Sequence, residues 1–159
     1  MNNKLTIDRS EISNNQVEKF QDLVARLYQC CSDRMQYQSE KFGLPDAHLR
    51  CLLLFGEERY LTPKGISQKM NVVKSRVTSI INGLMKKGLI QRIKDPGDSR
   101  ISLLSLTAEG QKKVGEVRSF MGDVHREVLH QMEPEQRKIM LTNLELLKAS
   151  MEAVKELMV

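Results

Sequence analysis

The sequence contains no tryptophan, and tyrosine and phenylalanine together supply seven of its 159 residues. It also has no run of roughly 20 apolar residues, which is the length needed to span a bilayer. The opening residues, MNNKLTIDRSEISNN, carry no apolar signal region, so we expect a cytoplasmic protein with no membrane partner. With 40% hydrophobic residues and nine methionines, the chain has enough apolar material for an aliphatic, helix-rich core.

Cysteine is scarce as well, and its placement excludes several kinds of site. The three cysteines are Cys30, Cys31 and Cys51, an odd number that argues against a disulfide framework. Neighbouring Cα atoms lie about 3.8 Å apart, too close for Cys30 and Cys31 to bridge each other in a helix. Without a CxxC or HxxxH pair, a glycine-rich phosphate loop or a nucleophile elbow, we expect no metal, no cofactor and no catalytic site.

Positive charge is concentrated in one segment of the chain. Residues 64–100 contain nine basic and two acidic residues, a net charge of +7, whereas the whole chain carries +5. A cationic segment in an otherwise mildly acidic chain is typical of a nucleic-acid-binding element. A merely solvated basic surface is the alternative.

Apolar spacing predicts four helices in the first part of the chain. The first covers Val17 to Phe42 and ends at Gly43; the second starts with Asp46 as N-cap and runs to Gly56. A short third helix has Thr62 as cap and Pro63 in its first turn, and it stops near Asn71. The fourth runs from Lys74 to Lys87, closed by Gly88, with an apolar stripe of Val77, Ile80, Ile81, Leu84 and Met85.

A hairpin and two long helices follow. Two short strands, Leu89 to Lys94 and Arg100 to Leu106, flank a turn made by Pro96 and Gly97. Thr107 caps the next helix, and Pro134 starts the last one. This order predicts a mainly α (α+β) fold: a winged helix-turn-helix core with additional N- and C-terminal helices.

The hairpin tip carries charged residues that a plain turn does not need. Arg100 at the tip of a wing is suited to the DNA minor groove, whose narrow A·T-rich parts attract cations. Asp98, two residues earlier, can pair with Arg100 and fix its direction. The alternative is that the two residues only hold the hairpin together.

At this point the sequence resembles the MarR family of bacterial transcription regulators. The resemblance lies in LTPKGISQKMNVVKSRVTSIINGLMKKGLIQRIKDPGDSRISLLSLTAEGQ, residues 61–111, with the Asp-x-Arg wing motif at 98–100 and the Leu-Thr-x-Glu-Gly signature at 106–110. GLPDAHLRCLLLF also matches the family's second helix. The polar residues 1–13 are predicted to form a flexible arm. For the rest of the chain, the resemblance implies a helical dimerisation region at 14–44 and 107–159, and a winged helix-turn-helix DNA-binding domain at 45–106.

The resemblance also assigns roles to individual residues. Base edges in the major groove would be reached by Ser75, Arg76 and Ser79, and phosphates by Lys64, Lys74 and Thr78. Arg100 would read the minor groove, oriented by Asp98. The chain departs from the family where Gly65 replaces a frequent Glu, Val73 a capping Ser or Thr, and Lys74 a frequent Pro.

The function implied is a sequence-specific transcriptional regulator, most often a repressor. It would bind double-stranded DNA as a homodimer, on a palindrome with half-sites about one helical turn apart, and a small aromatic or phenolic effector would release it. The apolar stripes on the terminal helices also favour a partner. Alternatives are a redox sensor using Cys30, Cys31 or Cys51, a metal-sensing regulator, and a helical interaction module without DNA function.

Overall fold

The computed structural model describes residues 11–158, so most of the expected arm at 1–13 lies outside the described residues. The elements follow the predicted order and confirm the helix-rich winged-helix fold. They are α1 (Asn14–Phe42), α2 (Asp46–Leu54), α3 (Pro63–Met70), α4 (Lys74–Lys86), β1 (Ile90–Lys94), β2 (Ser102–Leu106), α5 (Ala108–His130) and α6 (Pro134–Glu156).

The predicted boundaries of α3 and the predicted end of α1 are confirmed. The Thr62 hydroxyl accepts a hydrogen bond from the Gly65 amide at 3.0 Å, and Pro63 occupies the first turn of α3. Asn71 ends that helix in the left-handed conformation, with φ of 53°. Gly43 ends α1 with φ of 64°, a backbone angle that costs glycine little because it has no Cβ.

Several predicted boundaries were wrong by a few residues. Asp46 is the first residue of α2 rather than its N-cap, because Pro45 holds the cap position and its carbonyl accepts the first amide bonds. The same helix ends at Leu54 rather than Gly56. The second strand begins at Ser102 rather than Arg100, because residues 98–101 belong to the turn.

The two strands form an antiparallel hairpin in which Ile90 faces Leu106 and Lys94 faces Ser102. A third segment joins it: Leu61, just before α3, exchanges two backbone hydrogen bonds with Leu104 of β2, at 2.8 and 3.0 Å. This pairing attaches the base of the wing to the start of the helix-turn-helix.

The apolar core lies in the winged helix. Fifteen of the 17 buried apolar side chains in the described residues fall between Leu44 and Leu104, on α2, α3, α4, the hairpin and the segments that join them. The chain divides into two compact units, Met1–Gly110 and Gln111–Val159. In the second unit Val114 and Val117 are buried, whereas α6 buries no residue.

Membrane insertion was not expected from the sequence. Within residues 11–158, none of the helices combines the length and apolar character that a bilayer crossing requires.

Candidate nucleic-acid interface

The surface of α4 is divided into a buried and an exposed face. Its apolar stripe packs into the core through Val77, Ile80, Ile81 and Leu84. All five predicted DNA contacts on this helix are exposed: Lys74, Ser75, Arg76, Thr78 and Ser79. The core therefore holds the helix while leaving a basic and hydroxyl-bearing face open. Lys64, in the first turn of α3, is also exposed.

The N-terminus of α4 is built without a polar cap. Val73 takes the N-cap position with extended backbone angles, φ −68° and ψ 152°, and its side chain makes no capping hydrogen bond. The side-chain cap that Ser or Thr often provides at this position in the family is therefore missing from α4. One turn into the helix, the Thr78 hydroxyl donates to the Lys74 carbonyl at 3.1 Å.

The wing tip is held by two aspartates that bind backbone amides. Asp95 Oδ1 accepts from the amides of Gly97 and Asp98, at 2.7 and 3.3 Å. Asp98 Oδ1 accepts from the Arg100 amide at 3.0 Å. Such short-range bonds from a carboxylate stabilise tight turns, so the aspartates give the tip a defined shape.

This geometry revises how Asp98 acts on Arg100. In the described part of the chain, the Arg100 guanidinium makes no ion pair with Asp98; the carboxylate holds the arginine's backbone instead. Arg100 is exposed, so its charge is displayed at the tip of the hairpin.

Part of the basic segment is already paired within the protein. Lys69 Nζ lies 2.7 Å from Glu58, and the hydrogen bond to that carboxylate raises the pKa of Lys69 above its usual value. Arg92 donates to the Ser102 hydroxyl at 2.9 Å. Lys87 donates to the Gly43 carbonyl at 2.8 Å. The net charge of +7 counted for residues 64–100 therefore overstates the positive charge that is available to a ligand. Glu58 lies outside that segment and was not counted, although it neutralises Lys69.

The Leu-Thr-x-Glu-Gly signature has a structural role at the junction of the hairpin and α5. The Thr107 hydroxyl donates to the Gly88 carbonyl at 2.6 Å and accepts from the Gly110 amide at 3.0 Å. Gly110 meets the backbone of Leu89, and a Cβ at this position would overlap the Leu89 carbonyl oxygen. Threonine and glycine are thus needed for capping and close packing rather than for chemistry.

A second close approach joins α2 to α4. The His48 ring lies against Gly83, at a distance that leaves no room for a Cβ. His48 Nδ1 is buried and has no hydrogen-bond partner among the described residues. Burial, together with the nearby positive charge of Lys87, lowers the pKa of His48 below its ordinary value. This contact was not predictable from the sequence, because His48 and Gly83 are far apart in the chain.

The cysteines fall into two classes. Cys51 is fully buried in α2, and burial raises the pKa of its thiol to about 12, which disfavours the reactive thiolate. Cys30 and Cys31 are exposed on α1. Of the three residues weighed for redox sensing, Cys51 is therefore poorly suited to it. Over the described residues, no three His, Cys, Asp or Glu side chains are grouped as a metal site.

Comparison with known proteins identifies the same family as the sequence motifs. Residues 42–101 match the sequence model of the MarR family. The HTH-type transcriptional repressor MdtR of Bacillus subtilis is 35% identical over 91 residues, which cover 57% of this chain and 59% of MdtR. The chain spans between 59% and 71% of the length of the first three curated relatives that it matches.

Solved structures extend the likeness to most of the chain. The YusO protein from Bacillus subtilis is similar with a TM-score of 0.68 and 28% identity, covering 89% of this chain and 99% of YusO. Streptococcus pneumoniae FabT, solved in complex with DNA, is similar with a TM-score of 0.73 and 20% identity, covering 85% of this chain and 99% of FabT. Its motifs, its fold and these matches make the chain similar to the MarR family of winged helix-turn-helix proteins, whose sequence model covers residues 42–101.

Proposed function

We propose that this protein is a transcriptional repressor that binds a palindromic DNA operator as a homodimer and is released by a small ligand. The observation that carries the proposal is the exposed face of α4, with Lys74 and Arg76, presented by a helix whose other face is anchored in the core. A helix so held fits the major groove, where the first residues of a recognition helix meet base edges.

Specific contacts follow from the chemistry of that face. Arg76 is suited to guanine, whose O6 and N7 accept two hydrogen bonds from one guanidinium. Ser75 and Ser79 carry hydroxyls that serve either donors or acceptors on base edges. Lys64, Lys74 and Thr78 are assigned to phosphates, which fix the position of the protein without reading sequence.

The wing supplies the second contact. Because Asp95 and Asp98 fix the tip through backbone amides, Arg100 is displayed with little freedom in its backbone. We assign Arg100 to the minor groove, and Asp98 to positioning the backbone of Arg100. The DNA complex of FabT, which has this fold, supports DNA as the partner.

Homodimerisation is supported by apolar surface that the single chain leaves open. On α1, Phe20, Leu23 and Leu27 are each about half exposed, at 48%, 50% and 56%. On α6 the exposed large apolar residues are Ile139, Leu141, Leu144, Leu146, Met151 and Val154. Exposed apolar surface of this extent marks an association site, and a second copy of the chain forms a closed two-fold pair. Sedimentation at micromolar concentration should therefore give twice the 18.3 kDa mass of one chain.

Release by a small aromatic or phenolic ligand rests on the family resemblance. We expect an aromatic acid such as benzoate to weaken operator binding at millimolar concentration. Unchanged affinity across a panel of aromatic acids and phenols would remove this part of the proposal and leave DNA binding intact.

The experiment that tests the core of the proposal is selection from a random duplex pool, followed by salt titration. We expect a palindromic sequence to be enriched and its affinity to fall steeply with salt, because phosphate contacts release counterions. Arg100→Ala should cost about 1–3 kcal/mol of binding free energy. Lys155→Ala removes the same charge from the last turn of α6 and serves as the matched control.

Enrichment of no sequence, or equal affinities for the Arg100 and Lys155 variants, would argue against the proposal. If no sequence is enriched, the chain is a helical interaction module with a basic surface; equal affinities on an enriched sequence remove the contact assigned to Arg100.

A further inference from the structure

Val73, at the start of α4, is an apolar residue next to the exposed polar residues to which we assign DNA contacts. Val73 is 69% exposed, the highest value among the large apolar residues of the winged helix. It precedes Lys74, Ser75 and Arg76, which are all exposed as well. Exposing a valine gains nothing for folding, and valine is also a poor N-cap. Neither stability nor capping therefore explains this residue.

The backbone of Val73 is firmly held. Its carbonyl accepts hydrogen bonds from the Arg76 and Val77 amides, at 3.1 and 3.2 Å. The side chain is branched at Cβ, which restricts its rotation about χ1. Val73 is thus a stiff apolar group on a fixed backbone, and little entropy would be lost when it contacts a surface.

Its chemistry allows one kind of base contact. Valine has no hydrogen-bond donor or acceptor, so it cannot pair with the polar groups of a base edge. The thymine C5-methyl group is the apolar feature of the major groove, and small apolar side chains recognise it. The first residues of a recognition helix are those that meet base edges.

We propose that Val73 is a specificity-determining residue that packs on the methyl group of one thymine in each half-site of the operator. The inference rests on the proposed function, because it requires α4 to enter the major groove. It goes further by naming a residue and a base feature that the polar contacts do not cover.

Replacing thymine with deoxyuridine tests the contact, since the only change is loss of the methyl group. Each thymine in one half-site of the selected duplex is replaced singly, and the Kd is measured for wild type, Val73→Ala and Arg100→Ala. We expect one position at which deoxyuridine weakens wild-type binding roughly fourfold, the value for removing one buried methyl group. Val73→Ala should reduce this thymine-to-deoxyuridine ratio, because the shorter side chain covers less of the methyl group.

The variants separate this contact from general effects. Alanine and valine are both poor N-caps, so Val73→Ala leaves the capping of α4 unchanged. Arg100→Ala should weaken binding to both duplexes while keeping the thymine-to-deoxyuridine ratio, because the wing is a separate contact. Thermal unfolding of each variant checks that the fold is retained.

The inference is overturned if wild type is indifferent to every deoxyuridine, or if Val73→Ala keeps the wild-type sensitivity at the critical position. Those results leave DNA binding itself in place. If wild type binds no duplex selectively, the proposed function fails first, and this inference fails with it.

Discussion

The winged helix and the long terminal helices differ in how much of their apolar surface is buried within the chain. Between Leu44 and Leu104 the chain buries fifteen apolar side chains, and in α1 the one buried residue is the polar Gln38. In α6 no residue is buried. The winged helix is therefore stabilised by its own core, whereas α1 and α6 keep apolar surface available for association. Folding stability and association should accordingly respond to different substitutions.

The largest contrast is expected between two leucines. Leu84 of α4 is fully buried, so Leu84→Ala should lower the free energy of unfolding by about 2–5 kcal/mol, the usual cost of a truncated core leucine. The measurement is urea unfolding followed by circular dichroism. The loss should be the same at every protein concentration, because the core of the winged helix lies within one chain.

Leu144 on α6 is the matched control, since it undergoes the same truncation at 47% exposure. Leu144→Ala should raise the dimer dissociation constant measured by sedimentation, and it should change unfolding of the dilute chain little. Equal effects of the two substitutions on the free energy of unfolding would contradict the difference in burial between the winged helix and α6.

A second pair of variants tests close packing at the start of α5. Gly110→Ala should lower the free energy of unfolding by about 1–3 kcal/mol, the typical cost of overpacking, because the new Cβ overlaps the Leu89 carbonyl oxygen. Gly115, five residues later on the same helix, has open space at its Cβ position. Gly115→Ala should therefore stabilise the chain by about 0.5–1 kcal/mol, as in an ordinary helix. Thermal unfolding of both variants gives the comparison, which fails if both changes have the same sign.

Acid should weaken the winged helix through His48. The pKa of His48 is lowered in the folded chain, so the unfolded chain binds the proton more readily. Stability is then fully present above the unfolded value of about 6.5 and is lost as the pH falls from there towards the folded pKa. NMR titration of the His48 ring should give a midpoint below about 6.5, the ordinary histidine value. His48→Gln should reduce the slope of stability against pH in this window, and an unchanged slope would assign the acid sensitivity to other groups.

The last comparison concerns the reactivity of the three thiols, for which we expect the smallest effect. It again separates α1 from the winged helix. In the dilute folded chain at pH 8, Cys30 and Cys31 on α1 should be alkylated, because both are exposed. Cys51 should react only on unfolding, since burial raises its pKa to about 12. Mass spectrometry of digested peptides distinguishes the three sites. Rapid modification of Cys51 would show that the winged helix opens more readily than its packing indicates.

Local chemistry made much of the fold predictable. Thr62, Pro63, Asn71 and Thr107 each mark a helix boundary through their own backbone or side-chain preferences, and the structure places them there. The error at Asp46 is local as well, because aspartate is a good N-cap and the sequence does not show that Pro45 takes that position.

Contacts between distant residues were not predictable in the same way. The Leu61–Leu104 pairing, the His48–Gly83 contact and the Lys69–Glu58 ion pair each join positions that no short-range pattern connects. The DNA contacts were assigned from the resemblance, and the structure adds that their side chains are exposed. Asp98 was expected to hold the guanidinium of Arg100 and instead holds its amide, because a backbone donor two residues away lies within reach of the carboxylate.

The bond from Lys87 to the Gly43 carbonyl ties the end of α4 to the turn between α1 and α2. Movement of this turn relative to α4 would break this bond or shift the end of α4. If a ligand bound at this turn shifted α4 and so changed the affinity for DNA, DNA would change the affinity for that ligand by the same factor. One surface lysine thus links the end of the long first helix to α4, the helix to which we assign the base contacts.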